Sequence, residues 1–583
     1  MMDTYLKNMQ ARMSEDQKDM LRRIYEPTVV AVPLSFARRD LCVLPDGELR
    51  AYGNLYSSYV TGEKCIRAYL SSVDGGISWT QHYAHGKMDT CTYMEKAGVY
   101  LRNCDAHFPG NAEKRLCVWR SEIGPDDPDP EVIDLGVEGG YGDGFLPVQS
   151  AYTDRIWFTQ QNMATCDACF FYSDDFGKTW KHSVVPYPNH YEIVFPNKGN
   201  RWWRSGGTEP NAIELSENKM LMLLRTPLGS FYQTFSYDGG ETWTAPEPSP
   251  FYGVNTTAFL LHLSDGRILN FWNNTAPLPE ANHKTVTPRP GALDMILDGT
   301  SQSVLSNREA AHAAISNDGG KTFIGFREIL LNPVRNNSDF RYTGGGASGA
   351  DKSVHQFQAF ELPFNKVLVH VGQHKASSRL VIFDLDWLYE TSRKEDFLSG
   401  VSNVTTHTYI RSISGCYYAK VGNGHSNWNR TYSAYPMPDP DGGVNEVLSV
   451  SKHHDDRLFN DIGGVVWNFP VSRKGRVTVD LKIAEKQARF ALMDHWCNTC
   501  DPYAAIQSPF WFELDVADTG CKFTKVVIDY DVDKAMAEVS LDGEHFFKVA
   551  MRNPCPTGIS YLMLQCATDG DSEGFYIRSM EKE

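Results

Sequence analysis

The sequence predicts an all-β fold, and three observations carry that expectation. Aromatic residues form 12% of the 583-residue chain, beside 47 glycines and 30 prolines, a composition that suits many short strands joined by tight turns. An eight-residue turn of the form S-x-D-x-G-x-[TS]-[WF] occurs at Ser72 to Trp79, Ser173 to Trp180, Ser236 to Trp243 and Ser316 to Phe323. Strand-length apolar runs also alternate with turn residues. Between Arg201 and Trp243, a half-apolar run at Ala212 to Leu215 precedes a polar turn at Ser216 to Asn218, then an apolar run from Met220 to Leu224 and a second turn at Asp238 to Gly240, the pattern of successive antiparallel strands.

The repeated turn has a local physical reason. Its Asp can hydrogen-bond turn amides, its Gly accepts positive φ, and its aromatic can pin the turn onto the sheet. It is a folding device with no catalytic role. Four irregularly spaced copies resemble the Asp-boxes of the sialidase (neuraminidase) superfamily, in which such boxes close the hairpins of β-propeller blades. The resemblance implies a six-bladed β-propeller over residues 28–440, seven-bladed if Thr405 to Gly422 adds a blade, behind an N-terminal helical segment, 1–27.

In chain order, Met1 to Tyr25 is polar and helical in pattern. Thr28 to Pro33 reads as a strand placed to complete a blade begun at the far end of the propeller. Phe36 to Tyr52 has the strand, Pro-Asp-Gly turn, strand form that opens a blade, and the first box closes it. A less regular blade is expected near Thr90 to Arg120, with a surface loop from Gly124 to Pro130. Later blades run from Phe145 to Trp180, around Glu209, from Asn255, and from Ser353 to Leu362. Pro277 to Asn307 reads as a rim insertion. From about Gly442 further strands are expected at Val477 to Ile483, Phe510 to Val516, Phe523 to Tyr530, Ala535 to Leu541 and Ser560 to Gln565. The run Asp529 to Glu544 resembles a late hairpin of concanavalin-like β-sandwiches, which implies a second domain, 441–583. Apolar runs at Val447 to Val450 and Ile462 to Pro470 lack linker composition, so the sandwich is expected to pack against the propeller.

A net charge of −16 argues against a nucleic-acid-binding face. Lys18, Asp19, Arg22 and Arg23 interrupt any signal-peptide core, and no apolar run reaches the roughly 18 residues of a membrane span. Thirteen cysteines, an odd number, fit reduced thiols. The expectation is a cytoplasmic chain with no membrane or nucleic-acid partner and no cofactor; composition leaves the oligomeric state open. Cys166-x-x-Cys169 and Cys497-x-x-Cys500 have metal-ligand spacing, but each is a lone pair in a different domain, and no metal is expected.

Sialidases grip a sugar carboxylate with arginines, and use a Tyr nucleophile activated by Glu together with an acid/base Asp. The segment Gly207 to Thr226 resembles their stretch holding that Glu and one clamp Arg, which implies an activating role for Glu209 and a clamp role for Arg225; a hairpin salt bridge is the structural alternative. Phe36-Ala37-Arg38-Arg39-Asp40 resembles the motif that opens the first sialidase blade, so Arg38 or Arg39 is a second clamp. The acid/base position falls on Glu63 or Asp40. Blade registration puts Gln356, with His355 beside it, where the nucleophilic Tyr belongs. Tyr342 and Arg341 sit on a Gly-rich loop able to enter the site. Trp202-Trp203 offers a stacking platform, with Arg204 beside it. The expected partner is an acidic oligosaccharide or glycoconjugate. Three activities compete: exo-hydrolysis of a terminal acidic sugar, uronate elimination with His355 or Tyr342 as base, and glycan binding without turnover.

Overall fold

The computed structural model describes residues 3–34, 40–55, 66–107, 114–137, 141–142, 144–162, 165, 167–188, 208–226, 229–253, 256–276, 308–333, 353–372, 376–410, 429–451, 462–485, 487–499, 501, 504–567 and 573–583. Among them, six antiparallel sheets follow one another and make a β-propeller. Their innermost strands are Leu41–Val43, Thr92–Met94, Val148–Gln149, Thr208–Ser216, Phe259–His262 and Gln358–Leu362. Neighbouring sheets touch around a full circle, with the sixth inner strand meeting the first.

Closure is made by the chain's beginning. Thr28–Ala31 pairs antiparallel with Arg379–Asp384 as the outermost strand of the sixth sheet, as the strand pattern at Thr28 predicts. Gln358 adds a second latch: its Oε1 accepts from Leu41 N at 2.8 Å and its Nε2 donates to Leu41 O. The two helices Asp3–Arg12 and Glu15–Arg23 lie over this seam, burying Met9, Met13 and Leu21 against Leu41, Leu49, Leu380 and Ile382. Gly47 permits that contact. A Cβ there would stand 2.5 Å from the Met9 backbone, and its φ of +88° is one that L side chains resist.

Each box works as its composition predicts. In the fourth, Asp318 Oδ1 accepts from Ser316 Oγ and from the Lys321 and Thr322 amides at 2.8–3.0 Å, and Oδ2 accepts from Thr322 Oγ1 at 2.6 Å. Burial is the largest single influence and opposes ionisation of Asp318, but these donors together outweigh it and hold the carboxyl down at about 2. The loop Gly124 to Pro130 is a box in degenerate form, where Ser121 Oγ donates to Asp127 and accepts from the Ile123 and Gly124 amides.

The C-terminal part is a sandwich of two sheets. Lys474–Ile483, Thr524–Asp531, Met536–Leu541 and Phe575–Lys582 belong to the larger, and Ile462–Ser472, Gln487–Met493, Phe510–Asp515 and Ile559–Ala567 to the smaller. Every second residue of Lys474–Ile483 from Val477 onward is buried, the period of a strand with one face on a core. Val479, Leu481 and Ile528 face Trp467, Phe490 and Leu562 across that core.

Two expectations need correction. The sandwich does not begin at Gly442, because Arg393–Glu395 pairs with Phe575–Lys582 and Val404–Thr405 with Ile462–Ser472; such short edge strands leave no compositional signal. For the same reason Thr405 starts no seventh blade. It belongs to a sandwich sheet, and the circle is already closed by Thr28–Ala31. Residues 411–428 lie outside the described set. No helix among the described residues is long and apolar enough to cross a membrane.

Propeller and sandwich share a buried seam. Ala276 and Ala310 pack with Val466, Met493, Trp496, Tyr561 and Met563, and Val447–Val450 and Ile462–Pro470 are largely buried, as their composition predicts. At the centre, Asn274 N donates to His312 Nδ1 at 3.1 Å, so the ring proton sits on Nε2 and is given to Tyr561 Oη, which donates to Glu328 Oε1 at 2.8 Å. Burial pushes His312 down to about 3, so it folds neutral. An unfolded His titrates near about 6.5, and the unfolded chain therefore binds the extra proton between pH 6.5 and 3. Stability from this group is present above pH 6.5 and is lost as pH falls toward 3. Melting temperature is expected to decline across that window, less steeply in a His312→Gln variant; equal slopes would remove His312 from the acid response.

Candidate functional site

All six inner strands run the same way along the axis, so the residues just before them converge on one mouth. Asp40, Asp89 and Thr90, Thr256 and Thr257, and His355 and Gln356 hold this position, and Glu209 is the second residue of its own inner strand. Behind the mouth lies an axial cavity of about 700 Å³, lined by Asp40, Arg102, Gln160, Asn211 and Gln358, with Thr4 and Tyr5 of the first helix also in its wall. Three groups of charged or polar residues stand around the mouth.

The first joins blades one and two. Arg67, heading the strand that ends in the first box, donates from Nε to Asp89 Oδ2 at 2.7 Å and from Nη2 to Asp40 Oδ1 at 3.2 Å. Thr90 Oγ1 donates to the same Asp40 oxygen at 3.1 Å, and Arg102 Nη1 lies 3.9 Å from Asp89 Oδ2. Burial works against the Arg67 charge, and the attraction of Asp40 and Asp89 more than reverses it. Asp89 takes φ +50°, and its Oδ1 is buried without a partner among the described residues.

The second is the Glu209–Arg225 pair. A hairpin turning at Glu217 and Asn218 returns Arg225 opposite Thr208, and Arg225 Nη1 meets Glu209 Oε1 at 2.7 Å with the side chains 2% and 4% exposed. The hairpin geometry read from the sequence is present, and so is the salt bridge. The register slips between Thr208 and Asn211, and Glu209 sits in that bulge at φ +41°. Bulges re-aim side chains, and a non-glycine residue at positive φ marks backbone held in place by its surroundings.

The third joins blades five and six. Arg308 Nη1 lies 2.7 Å from His355 Nε2, and Ser353 Oγ 2.7 Å from His355 Nδ1. A guanidinium only donates, so Nε2 accepts and the ring proton is on Nδ1, given to Ser353. Asn273 Nδ2 donates to Ala310 O and Val354 O, beside Arg308 and His355 respectively. Gln356 follows at φ +66°, with Oε1 buried and without a partner among the described residues. Asn274, the residue after Asn273, carries the sandwich: its Nδ2 donates to Asp494 O and its carbonyl accepts from Trp496 N, both at 2.9 Å. The second domain therefore docks onto the strand exit that holds the third group.

Of the residues expected from sequence, Asp40, Glu209, Arg225, His355 and Gln356 stand at the mouth. Arg38, Arg39, Trp203, Arg204, Arg341 and Tyr342 lie outside the described residues, as do Trp202, Glu63, Cys166 and Cys500. Sequence reading missed Arg67, Asp89, Arg102, Arg308 and His370; burial holds His370 down at about 4 against the opposing pull of Asp40. A usable signal for two of them was present. Walking back from each box to the head of its strand arrives at Arg67 in the first blade and Arg308 in the fifth.

Residues 145–342 match the family described as BNR repeat-like domain. With four boxes on a closed ring of sheets, the chain has an Asp-box β-propeller fold. A Trypanosoma rangeli sialidase in complex with 2,3-difluorosialic acid is 11% identical, at TM-score 0.35, over 95% of this chain and 94% of that one. A Dyadobacter fermentans protein of unknown function is 16% identical, at TM-score 0.38, over 62% and 99%. A mutant of NanB sialidase from Streptococcus pneumoniae is 11% identical, at TM-score 0.35, over 63% and 69%. No curated protein matches the chain. At these identities the chemistry has to be argued from the residues of this chain.

The energetics of the second group can be tested directly. Removing one member of a buried ion pair typically costs about 3–5 kcal/mol, because the other charge is stranded. Glu209→Gln is expected to lose about that much in urea unfolding, and Glu209→Gln with Arg225→Met to recover part of it. An unchanged midpoint in the single variant would mean that the pair is not buried in solution.

Proposed function

We propose that the chain is an exo-acting glycoside hydrolase that removes a terminal acidic sugar, a sialic acid or related sugar acid, at the propeller mouth. The observation that carries this reading is the placing of Arg67, Arg102, Arg225 and Arg308 around one opening, interleaved with Asp40, Asp89 and Glu209. Guanidinium forks match carboxylates in shape as well as charge, and carboxylates are the groups that move protons at a glycosidic oxygen.

In this account Arg225 and Arg308 grip the sugar carboxylate. Asp40 and Asp89, sharing the Arg67 guanidinium, stand where a proton is passed to the leaving oxygen as the glycosidic bond breaks. Glu209 orients the nucleophile; blade registration puts Gln356 where the resemblance has its Tyr, and Tyr342 is the tyrosine we assign to that part. Elimination is less well supported, because the Arg308 contact occupies the His355 lone pair that a C5 proton would need.

Products from a panel of acidic glycans test the proposal. Release of a free sugar acid supports it; an unsaturated uronate with new ultraviolet absorbance supports elimination, and binding without turnover supports a glycan receptor. Arg308→Lys, which keeps charge and loses the fork, is expected to raise KM at least about tenfold with a smaller change in kcat. An unchanged KM would remove Arg308 from the binding set.

A further inference from the structure

Cys104 and Cys117 stand directly opposite each other on the paired strands Val99–His107 and Lys114–Ser121 of the second blade. Their sulfurs are 3.3 Å apart, and Cys117 Sγ also lies 3.2 Å from Cys104 O. Neither residue belongs to the three groups at the mouth. We propose that they form a redox-active dithiol that closes into an intrachain disulfide and staples this hairpin at the wall of the axial cavity.

Backbone geometry permits closure without rearrangement. Directly opposed residues of an antiparallel pair have Cα atoms about 4.5–5.5 Å apart, inside the range of about 4.4–6.8 Å that a disulfide spans. The sulfurs have only to approach by a little over about 1 Å to reach bonding distance.

Access is asymmetric. Cys104 is half-buried and lines the axial cavity, whereas Cys117 is fully buried. Arg102, two residues earlier and so on the same strand face, also lines the cavity. Burial pushes the Cys42 and Cys169 thiols up to about 12, which removes them as competing nucleophiles.

The oxidant is a small-molecule disulfide such as oxidised glutathione. The Cys104 thiolate attacks one of its sulfurs, that S–S bond breaks, and one glutathione thiolate leaves. Cys117 then loses its proton to solvent and attacks the Cys104 sulfur of the mixed disulfide, expelling the second thiolate. The balance is one protein dithiol and one glutathione disulfide giving one protein disulfide and two glutathione thiols. The staple fixes the strand that presents Arg102 to Asp89 and on which Asn103 Nδ2 donates to Gln160 Oε1 at 3.2 Å.

The full chain, equilibrated with oxidised glutathione, alkylated and digested with trypsin, tests this. Lys114 and Arg115 lie between the two cysteines, so the reduced chain yields separate alkylated peptides. The expected result is one linked pair carrying Cys104 and Cys117, lighter by two hydrogens than the two free thiols together, reverting with dithiothreitol. Oxidation should raise the melting temperature of the parent and leave that of Cys104→Ser unmoved. Recovery of both cysteines alkylated, or glutathione persisting on Cys104 without the cross-link, would overturn the proposal.

Discussion

Closing the ring is the constraint on which the rest depends. A sheet whose inner strand touches only one neighbour leaves an open flank, and here the final flank is filled by the chain's own beginning, through Thr28–Ala31 on Arg379–Asp384 and Gln358 on Leu41. Closure covers the faces that the first and last blades would otherwise expose and leaves only short outer edges. It also fixes where chemistry can occur, since six parallel inner strands deliver their leading residues to one mouth. Asp40 and His355 lie far apart in sequence and belong to adjacent blades for this reason alone.

Charge at the mouth is balanced by carboxylates in the first two groups, while Arg308 of the third faces an imidazole. Each arginine faces a carboxylate or an imidazole that it satisfies in the resting protein, so a buried cation is available without being stranded. The arrangement has a cost. Under the proposed function a substrate carboxylate competes with partners already in place, which favours ligands that bring two acceptor oxygens and leave Asp40, Asp89 and Glu209 partly bonded. The strained backbones of Glu209 and Gln356, both at positive φ, sit at the same opening, where tolerance of strain is most often tied to function. The sandwich contributes through Asn274, which makes it part of the mouth's foundation.

Fold was legible wherever chemistry is local. The boxes announce themselves because one Asp, one Gly and one Ser or Thr must sit at fixed offsets for the turn to close, and the Glu209–Arg225 hairpin could be read from two apolar runs and a turn. The site was legible only where it coincides with such a pattern. Arg67 and Arg308 head strands whose far ends carry boxes, yet their meeting with Asp89 and His355 depends on blade-to-blade packing that no local spacing encodes. The early start of the sandwich escaped for a related reason: Arg393–Glu395 and Val404–Thr405 are too short to show a period, and only their partners, residues away in the hundreds or tens, define them as strands.

The central claim is that the mouth recognises a carboxylate on a sugar. The most direct measurement compares binding of an acidic monosaccharide, such as a sialic acid, with that of its neutral amide, by calorimetry on the intact protein. Loss of a charge-assisted contact to buried arginines predicts at least about a tenfold weaker Kd for the amide, corresponding to about 1.4 kcal/mol or more. Equal affinity for the acid and the amide would contradict the account.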